Sequence, residues 1–431
     1  MTRSKTGFAA YLDSLANFGI EPSLAGIEAL CRALGGPQRG LGTIQVTGTN
    51  GKTSTARMAG EILAAHGLAV GVYTSPHLES YTERILLNGQ QMGAEAFETL
   101  GRAVREAVAV AEDALGHSGE RGERRITQFE VLTGAALKAF ADAAVDVAVV
   151  EVGMGGRWDA TSVVRPAVSI AANVTLDHAE WLGPELTDIA AEKAYVLKEG
   201  TIGVLGEMGE DVKAVFRARA DIVGARVLSA GTDFSYGPSE TGIRITSPLS
   251  EYTELIVGPA GGWQLANATL ATVAAEAFLG RDLDERRLRG ALSRAISPGR
   301  AELFPGRPDI LVDGAHNLAG VRALVGYVRA IYGDRRMAVV TAVMRDKRAV
   351  DMAVELGALG PLLIVDVDNP RCTPATELAA AAGRYGLAAT AATSIEAALD
   401  EGRKLVGADG LVVAAGSLYL AGPVRRFLRE M

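Results

Sequence analysis

The sequence GTNGKTS contains the residue types of a loop that binds phosphate groups. Its members are Gly48, Thr49, Asn50, Gly51, Lys52, Thr53 and Ser54. The glycines permit a tight turn that points backbone N–H groups inward, and the N-terminus of a following helix would add to their attraction for anions. Lys52 supplies a charge for β- and γ-phosphates, and the hydroxyl of Thr53 or Ser54 can reach Mg²⁺. Val46 stands where the full P-loop pattern has glycine, so an ordinary glycine turn is the alternative interpretation.

Three further side chains have chemistry that suits such a loop. Glu151 lies near the end of the apolar run VDVAVVEV, and ligands of open α/β sheets bind beyond the carboxyl ends of the strands. Its carboxylate could hold Mg²⁺, whereas a solvated acid at a strand end is the plain alternative. His178 follows another strand, where a lone histidine is more often a structural hydrogen-bonding residue. Lys193 lies in the alanine-rich segment AAEKA, where a snorkelling side chain is the simplest interpretation.

A second group of polar residues lies nearer the C-terminus. Arg300 belongs to SPGR, and Asp313 and His316 belong to DGAHN at the end of an apolar run. The intervening stretch 293–309 is rich in proline and glycine, which is the composition of a hinge. We therefore expect these residues to close over a nucleotide held by the earlier loop.

Short apolar strands that alternate with helices must position these residues. The predicted strands are 43–47, 69–75, 145–152, 167–174 and 200–206, and the predicted helices are 52–66, 94–116, 129–143 and 187–198. Near-continuous apolar strands separated by helices predict a parallel sheet that is covered on both faces. The charged stretch 112–125 predicts an exposed loop. The strand–helix pattern weakens from about 225 to 260, where SYGPSETGIRITSPLSEYTEL (235–255) predicts short antiparallel strands, and a helix follows at 264–279.

A second α/β series begins after the hinge. Its predicted strands start the segments 310–316, 336–344, 361–368 and 410–417. We therefore expect two domains, a P-loop parallel-sheet domain with a helical N-terminal lead-in over 1–296 and a smaller α/β domain over 297–431.

The bulk composition disfavours several classes of protein. The net charge of −8 over 431 residues disfavours a nucleic-acid scaffold, because such a scaffold needs an excess of cations. Cys31 and Cys372 lack metal-ligand spacing and fit a reducing compartment. The N-terminus lacks the apolar segment of a signal peptide, and no apolar run reaches about 18 residues. We expect a cytoplasmic enzyme that binds neither nucleic acid nor a membrane.

Taken in order along the chain, the motifs resemble those of the folylpolyglutamate synthase/dihydrofolate synthase family of the Mur-ligase superfamily. The resemblance covers nearly the whole chain and includes the lead-in at 11–38, GTNGKTS, TSPHLESYTERILLNG (74–89), TQFEVLTGAAL (127–137), EVGMGGRWDATS (151–162), LDHAEWLG (176–183), EKA (192–194), QLANA (264–268), SPGR, DGAHN and GSLYL (416–420). It implies an ATP-binding domain of the Mur-ligase central-domain type, followed by a smaller Rossmann-like α/β domain.

The resemblance also implies a role for each matching residue. The implied catalytic residues are Lys52, Glu151, His178, Lys193 and His316. The implied ATP contacts are Gly48, Thr49, Asn50, Gly51, Lys52, Thr53, Ser54, Asn267, Arg300 and Asp313. The implied ligands of two Mg²⁺ ions are Thr53, Ser75, Glu151 and His178. The implied substrate contacts are Arg84, Thr127, Phe129, His316 and Ser417, of which the first three would bind the acceptor and the last two would lie near the incoming L-glutamate. Lys193 matches a lysine that the family carbamylates.

The implied reaction is the ATP-dependent addition of L-glutamate to a pteroate or folate carboxylate through an acyl phosphate, by an enzyme expected to be a monomer. Thr53, DATS and EKAYV stand where relatives usually have glycine, DATN and EKAGI. A Mur-type ligase paralogue that acts on a different carboxylic acid is therefore the main alternative. A non-catalytic nucleotide switch would need neither Glu151 nor DGAHN, and a P-loop kinase would release a phosphorylated product instead of an amide. The sequence leaves open whether the product is dihydrofolate, folylpolyglutamate or both.

Overall fold

The computed structural model describes residues 7–15, 22–116, 125–258 and 261–431. The chain divides into two compact units. The first contains the residues up to Gly258 together with Leu265–Ala295, and the second contains Ile296–Met431 together with the short segment that ends at Gln264. The functional division at residue 297 stays a prediction. Within the described ranges, no helix combines the length and apolar character needed to cross a bilayer.

The first unit is built on an eight-stranded sheet and a separate three-stranded sheet. Its strands are β1 (Gly42–Thr47), β2 (Val70–Tyr73), β3 (Ile85–Leu87), β4 (Gln90–Gln91), β5 (Val147–Glu151), β6 (Val168–Ala171), β7 (Ile202–Leu205), β8 (Arg226–Ser229), β9 (Ser235–Ser239), β10 (Gly242–Thr246) and β11 (Glu251–Leu255). The large sheet has the order β4-β3-β2-β5-β1-β6-β7-β8, and β11-β10-β9 form the small antiparallel sheet. From β2 to β8 every pairing is parallel, which confirms the predicted parallel sheet.

Helices cover both faces of the large sheet. They are α1 (Phe8–Ser14), α2 (Ala25–Ala33), α3 (Lys52–Ala65), α4 (Ala94–Gly116), α5 (Gln128–Asp142), α6 (Ala179–Leu182), α7 (Leu186–Ala194), α8 (Glu210–Val223), α9 (Trp263–Leu279) and α10 (Glu285–Arg294), with 3₁₀ turns at Tyr81–Arg84 and Ala160–Val163. Strand β5 shows why the sheet is buried on both sides. Val147 and Val149 belong to one apolar cluster with α3, whereas Ala148 and Val150 belong to a second cluster with α5. Successive side chains of a strand point to opposite faces, so an uninterrupted apolar strand serves two cores.

The second unit has a six-stranded sheet with five helices. Its strands are β12 (Glu302–Phe304), β13 (Asp309–Val312), β14 (Met337–Thr341), β15 (Leu362–Ile364), β16 (Ala389–Ala391) and β17 (Leu411–Ala415), in the order β12-β13-β17-β14-β15-β16. Of the five strand pairings in this sheet, only that of β12 with β13 is antiparallel. The helices are α11 (Leu318–Tyr332), α12 (Ala349–Gly357), α13 (Ala375–Gly383), α14 (Ile395–Val406) and α15 (Leu418–Glu430). This sheet matches the predicted second α/β series.

Several local predictions were wrong. Strand β8 was not predicted, and it pairs in parallel with β7 and so extends the large sheet. The antiparallel strands predicted for SYGPSETGIRITSPLSEYTEL (235–255) are confirmed as β9, β10 and β11. Helix α7 ends at Ala194 instead of 198, and Gly200 takes a φ of 76° soon afterwards. Residues 112–116 continue α4, so that part of the predicted loop 112–125 is helical; residues 117–124 lie outside the described ranges. The predicted hinge contains strand β12, which forms part of the sheet of the second unit.

Candidate active site

The GTNGKTS loop joins the central strand β1 to helix α3. Gly51 caps the helix at φ 83°, and Gly48 has φ 149°, two conformations that side chains disfavour. The Lys52 ammonium donates hydrogen bonds to the carbonyl oxygens of Gly48 at 3.0 Å and Thr49 at 3.1 Å. The lysine charge therefore lies against the loop, and the first backbone N–H groups of α3 lie beside it. This arrangement is suited to binding an anion.

A neighbouring loop holds the phosphate loop in place, and sequence reasoning missed the residue that does so. The amide N–H of Asn50 donates to Asn173 Oδ1 at 2.9 Å, and Asn173 Nδ2 donates back to the Asn50 carbonyl oxygen at 3.0 Å. Thr49 makes a second reciprocal pair with the backbone of Thr175. Asn173 follows β6, which lies directly beside β1. Its position after an apolar strand was the available signal.

Glu151 links the phosphate loop to the next strand end. The Thr53 hydroxyl donates to both carboxylate oxygens, at 2.9 and 3.0 Å, and the Ser75 amide N–H donates to Oε2 at 3.0 Å. The carboxylate is 1% exposed. Strand register explains the meeting, because Val46 of β1 pairs with Glu151 of β5 and both strands end at the same edge. Thr53, through its hydroxyl, and Ser75, through its backbone N–H, therefore meet at one buried carboxylate, that of Glu151.

Lys193 of helix α7 contacts the same loop. It is 4% exposed, and its Nζ lies 3.0 Å from the carbonyl oxygen of Gly48, which also accepts from Lys52. Burial, and after it the nearby charge of Lys52, together lower the pKa of the Lys193 ammonium to about 7. The snorkelling interpretation is thereby wrong, since the amine is buried at the loop. A substantial fraction of such an amine is neutral, and therefore nucleophilic, near neutral pH.

His178 lies at the end of the loop that follows β6. It caps α6 in a left-handed conformation, with φ 54°, and its side chain is 41% exposed. Its Nε2 lies 3.9 Å from Asp177 Oδ2. Across residues 7–15, 22–116, 125–258 and 261–431, no three His, Cys, Asp or Glu side chains form a metal-binding cluster. Of the predicted magnesium ligands, Thr53 and Ser75 contact the buried Glu151 carboxylate, whereas the His178 side chain is exposed.

The predicted acceptor contacts occupy different local settings. Arg84 is buried, and its Nε donates to His77 Nδ1 at 3.0 Å. Thr127 caps α5, since its hydroxyl oxygen accepts from the Glu130 amide and its hydroxyl donates to the Glu130 carboxylate. Phe129 has its ring centroid 6.2 Å from that of Tyr73. The structural role of Thr127 as a helix cap accounts for its residue type without a substrate.

Asn267 of α9 lies directly against the phosphate loop. A Cβ at Gly51 would fall 2.4 Å from Asn267 Oδ1. The structure thus brings this side chain, predicted from its QLANA motif, to the glycine that begins α3. Ser54 is buried in the first turn of the same helix.

The close approach at Gly51 predicts a specific cost for Gly51→Ala. The left-handed backbone alone costs about 1–2 kcal/mol in a residue with a side chain, and the collision with Asn267 adds to it. Gly67→Ala is the matched control, because Gly67 has φ 94° but nothing lies within 4 Å of its Cβ position. We expect chemical denaturation to show a larger loss for Gly51→Ala than for Gly67→Ala. Equal losses would show that Asn267 does not restrain the loop.

In the second unit, Asp313 orders the SPGR turn. Its two carboxylate oxygens accept from the Ala301 and Ala315 amides, each at 2.7 Å. Burial raises the pKa of Asp313, and the charge of Arg300 opposes that rise. A Cβ at Gly314 would lie 2.2 Å from Arg300 Nη1, so the guanidinium crosses the backbone at the start of DGAHN. Arg300 and Asp313, predicted as one group, therefore do lie together.

His316 and Ser417 lie at the carboxyl ends of two adjacent strands of the second unit. His316 follows β13, and its Nδ1 is 3.0 Å from the carbonyl oxygen of Gly314. Ser417 follows β17, is buried, and caps α15 by accepting from the Tyr419 amide at 3.1 Å. Strands β13 and β17 pair directly, which places these residues at one edge of that sheet. Such an edge is where open α/β sheets bind ligands.

Two family models together match most of this chain. Residues 46–275 match the family model of the Mur ligase middle domain, and residues 299–418 match that of the Mur ligase glutamate ligase domain. A dihydrofolate synthase/folylpolyglutamate synthase of Mycobacterium tuberculosis is 35% identical over 85% of this chain and 79% of that protein. A probable bifunctional folylpolyglutamate synthase/dihydropteroate synthase of Halobacterium salinarum is 35% identical over 97% of this chain, which spans about half (51%) of that longer protein.

Among solved structures, the Mycobacterium tuberculosis folylpolyglutamate synthase complexed with ADP superimposes with a TM-score of 0.90. The two chains are 33% identical, and the match covers 97% of each. Both domain matches, their order along the chain and the near-complete coverage agree with the motifs from GTNGKTS to GSLYL. The chain is therefore a member of the folylpolyglutamate synthase/dihydrofolate synthase family, within the Mur ligases.

Proposed function

We propose that this protein uses ATP to join L-glutamate to the carboxylate of a pteroate or folate, with release of ADP and phosphate. The observation that carries the proposal is the group formed by Lys52, Thr53, Glu151 and Lys193 around the phosphate loop. Family membership supplies the reaction class. Mass spectrometry of the products from ATP, glutamate and folate-type acceptors tests it.

The reaction needs ATP because a carboxylate does not react with an amine at neutral pH. Transfer of the γ-phosphoryl group to a carboxylate oxygen of the acceptor gives an acyl phosphate and ADP. The amine of glutamate then attacks the acyl carbon, a tetrahedral intermediate forms, and the C–O bond to phosphate breaks as the amide forms and the amine loses its proton. The protein contributes mainly positioning and charge neutralisation.

The first unit would hold the phosphates and the metal. We assign the backbone of Gly48, Thr49, Asn50 and Gly51, together with Lys52 and Ser54, to the phosphate groups of ATP. Asn267 would help to hold the nucleotide against that loop. The buried Glu151 carboxylate and the Thr53 hydroxyl are hard oxygen donors that fit Mg²⁺, with Ser75 and His178 as further candidate ligands. Bound Mg²⁺ would neutralise phosphate charge.

We propose that Lys193 carries a carbamate in the active enzyme. A buried amine whose pKa lies at about 7 is neutral in a substantial fraction of molecules near neutral pH, and the neutral form is a nucleophile for CO₂. Its nitrogen forms the new bond to carbon and loses a proton, which leaves an anionic carboxylate on the side chain. That anion would replace a neutral amine beside the Lys52 charge, so the change is electrostatically favourable there.

The remaining assignments follow the family positions. In the first unit, Arg84, Thr127 and Phe129 would contact the acceptor. In the second unit, Arg300 and Asp313 would contact the nucleotide, and His316 and Ser417 would act on or near glutamate. We propose residues 1–296 as the ATP-binding domain and 297–431 as the glutamate-ligase domain. We also propose that the enzyme is monomeric and cytoplasmic, where its two buried free cysteines, Cys31 and Cys372, stay reduced.

Glu151→Gln tests the assignment of a metal to the first unit. The amide keeps the shape of the side chain but removes the negative charge that a cation needs. We expect the turnover rate to fall by about 100-fold or more and the Mg²⁺ concentration for half-maximal activity to rise. A titration of activity against Mg²⁺ measures both. An unchanged Mg²⁺ dependence would show that Glu151 does not bind the metal.

A further inference from the structure

The first unit contains a cavity whose lining residues have no role in the reaction proposed above. Its volume is about 720 Å³, it is open to solvent, and its lining residues are Leu24, Arg157, Ser162, Tyr195, Lys198, Glu199, Arg219, Ile222, Val223 and Gly224. This size is within the range of cavities that bind small organic molecules. None of these side chains belongs to the phosphate loop or to the Glu151 group.

The cavity has an excess of positive charge. Arg157, Lys198 and Arg219 line it, whereas Glu199 is the only acid among its lining residues. Arg157 also lies 3.8 Å from Glu192, a partly exposed pair that neutralises it incompletely. The net positive charge of the cavity lining therefore comes mainly from Lys198 and Arg219.

Arg219 is the least satisfied of these cations. Its Nε is buried without a hydrogen-bond partner, and no ion pair joins it to any residue that the structure describes. Its guanidinium carbon lies 4.4 Å from the centroid of the Tyr195 ring, and that of Arg157 lies 4.6 Å from the same centroid. The ring holds the two guanidinium groups by cation–π contact. This contact offsets part of the charge of Arg219 but leaves its buried Nε–H without an oxygen or nitrogen acceptor.

The pKa of Lys198 is lowered by burial and by neighbouring cations. Burial first, and then the charges of Arg165 and Arg219, together lower the pKa of Lys198 to about 8. Its Nζ donates to the carbonyl oxygens of Ser162 and Val164, the second at 2.7 Å. Its hydrogen bonds are thus directed to the backbone, which leaves Arg219 as the group available to a ligand.

We propose that this cavity binds a small organic anion, a carboxylate or a phosphate carried on an apolar body. The anionic group would accept from Arg219 and balance the charge of Lys198. The apolar body would lie on Leu24, Ile222 and Val223, side chains that a fully hydrated inorganic ion would leave uncovered. The site is independent of the ligase reaction proposed above.

Calorimetric titration with phenyl phosphate and benzoate tests the proposal. The full-length protein is first saturated with ADP and Mg²⁺, so that the phosphate loop is not available to the probe. We expect phenyl phosphate or benzoate to bind, and the tighter of the two identifies the anionic group. Inorganic phosphate should bind at least about tenfold more weakly than the tighter organic probe, because it makes no apolar contact.

Variants of two arginines on helix α8 provide the comparison. Arg219→Gln removes the cavity cation and should weaken binding of the tighter probe about tenfold or more, a loss typical of a charge-assisted hydrogen bond. Arg217→Gln is the matched control, since Arg217 lies on the same helix and pairs with Glu210 at 3.0 Å. It should bind the probe like the parent protein.

Three results would overturn the site. They are no binding of either organic probe, equal binding of the tighter probe by the Arg219→Gln and Arg217→Gln proteins, and equal affinity for the tighter probe and inorganic phosphate. Thermal melting of both variants without probe shows whether either change unfolds the protein. If Arg219→Gln is unfolded, Tyr195→Leu replaces it, and that variant must also weaken binding.

Discussion

Lys52→Ala is expected to abolish amide formation while the protein stays folded. The Lys52 ammonium contacts the carbonyl oxygens of Gly48 and Thr49, so it lies at the loop instead of in an apolar core. Removing a charge aimed at the transferring phosphoryl group typically costs about 100–1,000-fold in rate, and more where the residue also binds the substrate. Coupled measurement of ADP release and amide product gives the loss.

Lys138→Ala is the control for this substitution. Lys138 is a surface residue that pairs with Asp142 one helical turn away, and its loss should leave the activity unchanged. Circular dichroism and the melting temperature should be similar for both variants. Near-normal turnover by the Lys52→Ala protein would remove the phosphate-loop assignment.

Lys193→Ala is expected to lose most of the activity, by about 100-fold or more. The Lys193 side chain is buried against the phosphate loop, and its removal in the alanine variant would leave an empty space beside the Lys52 charge. If the working group is a carbamate, a small carboxylate such as acetate should restore part of the rate by occupying that space. Lys193→Arg should stay inactive with or without acetate, because a guanidinium keeps the wrong charge and fills the space.

The pH dependence of reactivation separates a carbamate from a free amine. The Lys193 pKa of about 7 means that the amine is mostly protonated at pH 6 and mostly neutral at pH 8. Only the neutral amine attacks CO₂, so CO₂-depleted protein should regain activity about tenfold faster at pH 8 than at pH 6 at equal dissolved CO₂. Full activity in the Lys193→Ala protein, with an unmodified lysine in the parent by mass spectrometry of the intact protein, would contradict the carbamate.

Much of the fold follows from patterns that are local in sequence. The run VAVVE of β5 is apolar at every position before its acid, so both of its faces must be covered, and a parallel sheet with helices on each side does this. Helix α8 was missed, although two acids in its first turn and Gly224 at its end are ordinary helix signals. The strand β8 could not be placed, because its four residues have no pattern that distinguishes a parallel from an antiparallel neighbour.

The candidate site was predictable where residues lie at strand ends. Glu151 and the phosphate loop meet because β1 and β5 are adjacent, and a list of strands with a parallel arrangement suffices to expect this. The bond between Asn50 and Asn173 required the strand order, since β6 had to lie on the other side of β1. The cavity around Tyr195 was not predictable, because it depends on where α7 ends and on the path of α8.

Mass spectrometry of the products formed from ATP, L-glutamate and a panel of acceptors tests the proposed ligase activity most directly. The panel contains dihydropteroate, tetrahydrofolate, its polyglutamates and unrelated carboxylic acids. We expect a pteroate or folate acceptor to gain glutamyl residues, with one ADP and one phosphate released per amide bond. A released phosphorylated acceptor, ATP hydrolysis without dependence on any acceptor, or an amide formed only with a non-folate acid would contradict it.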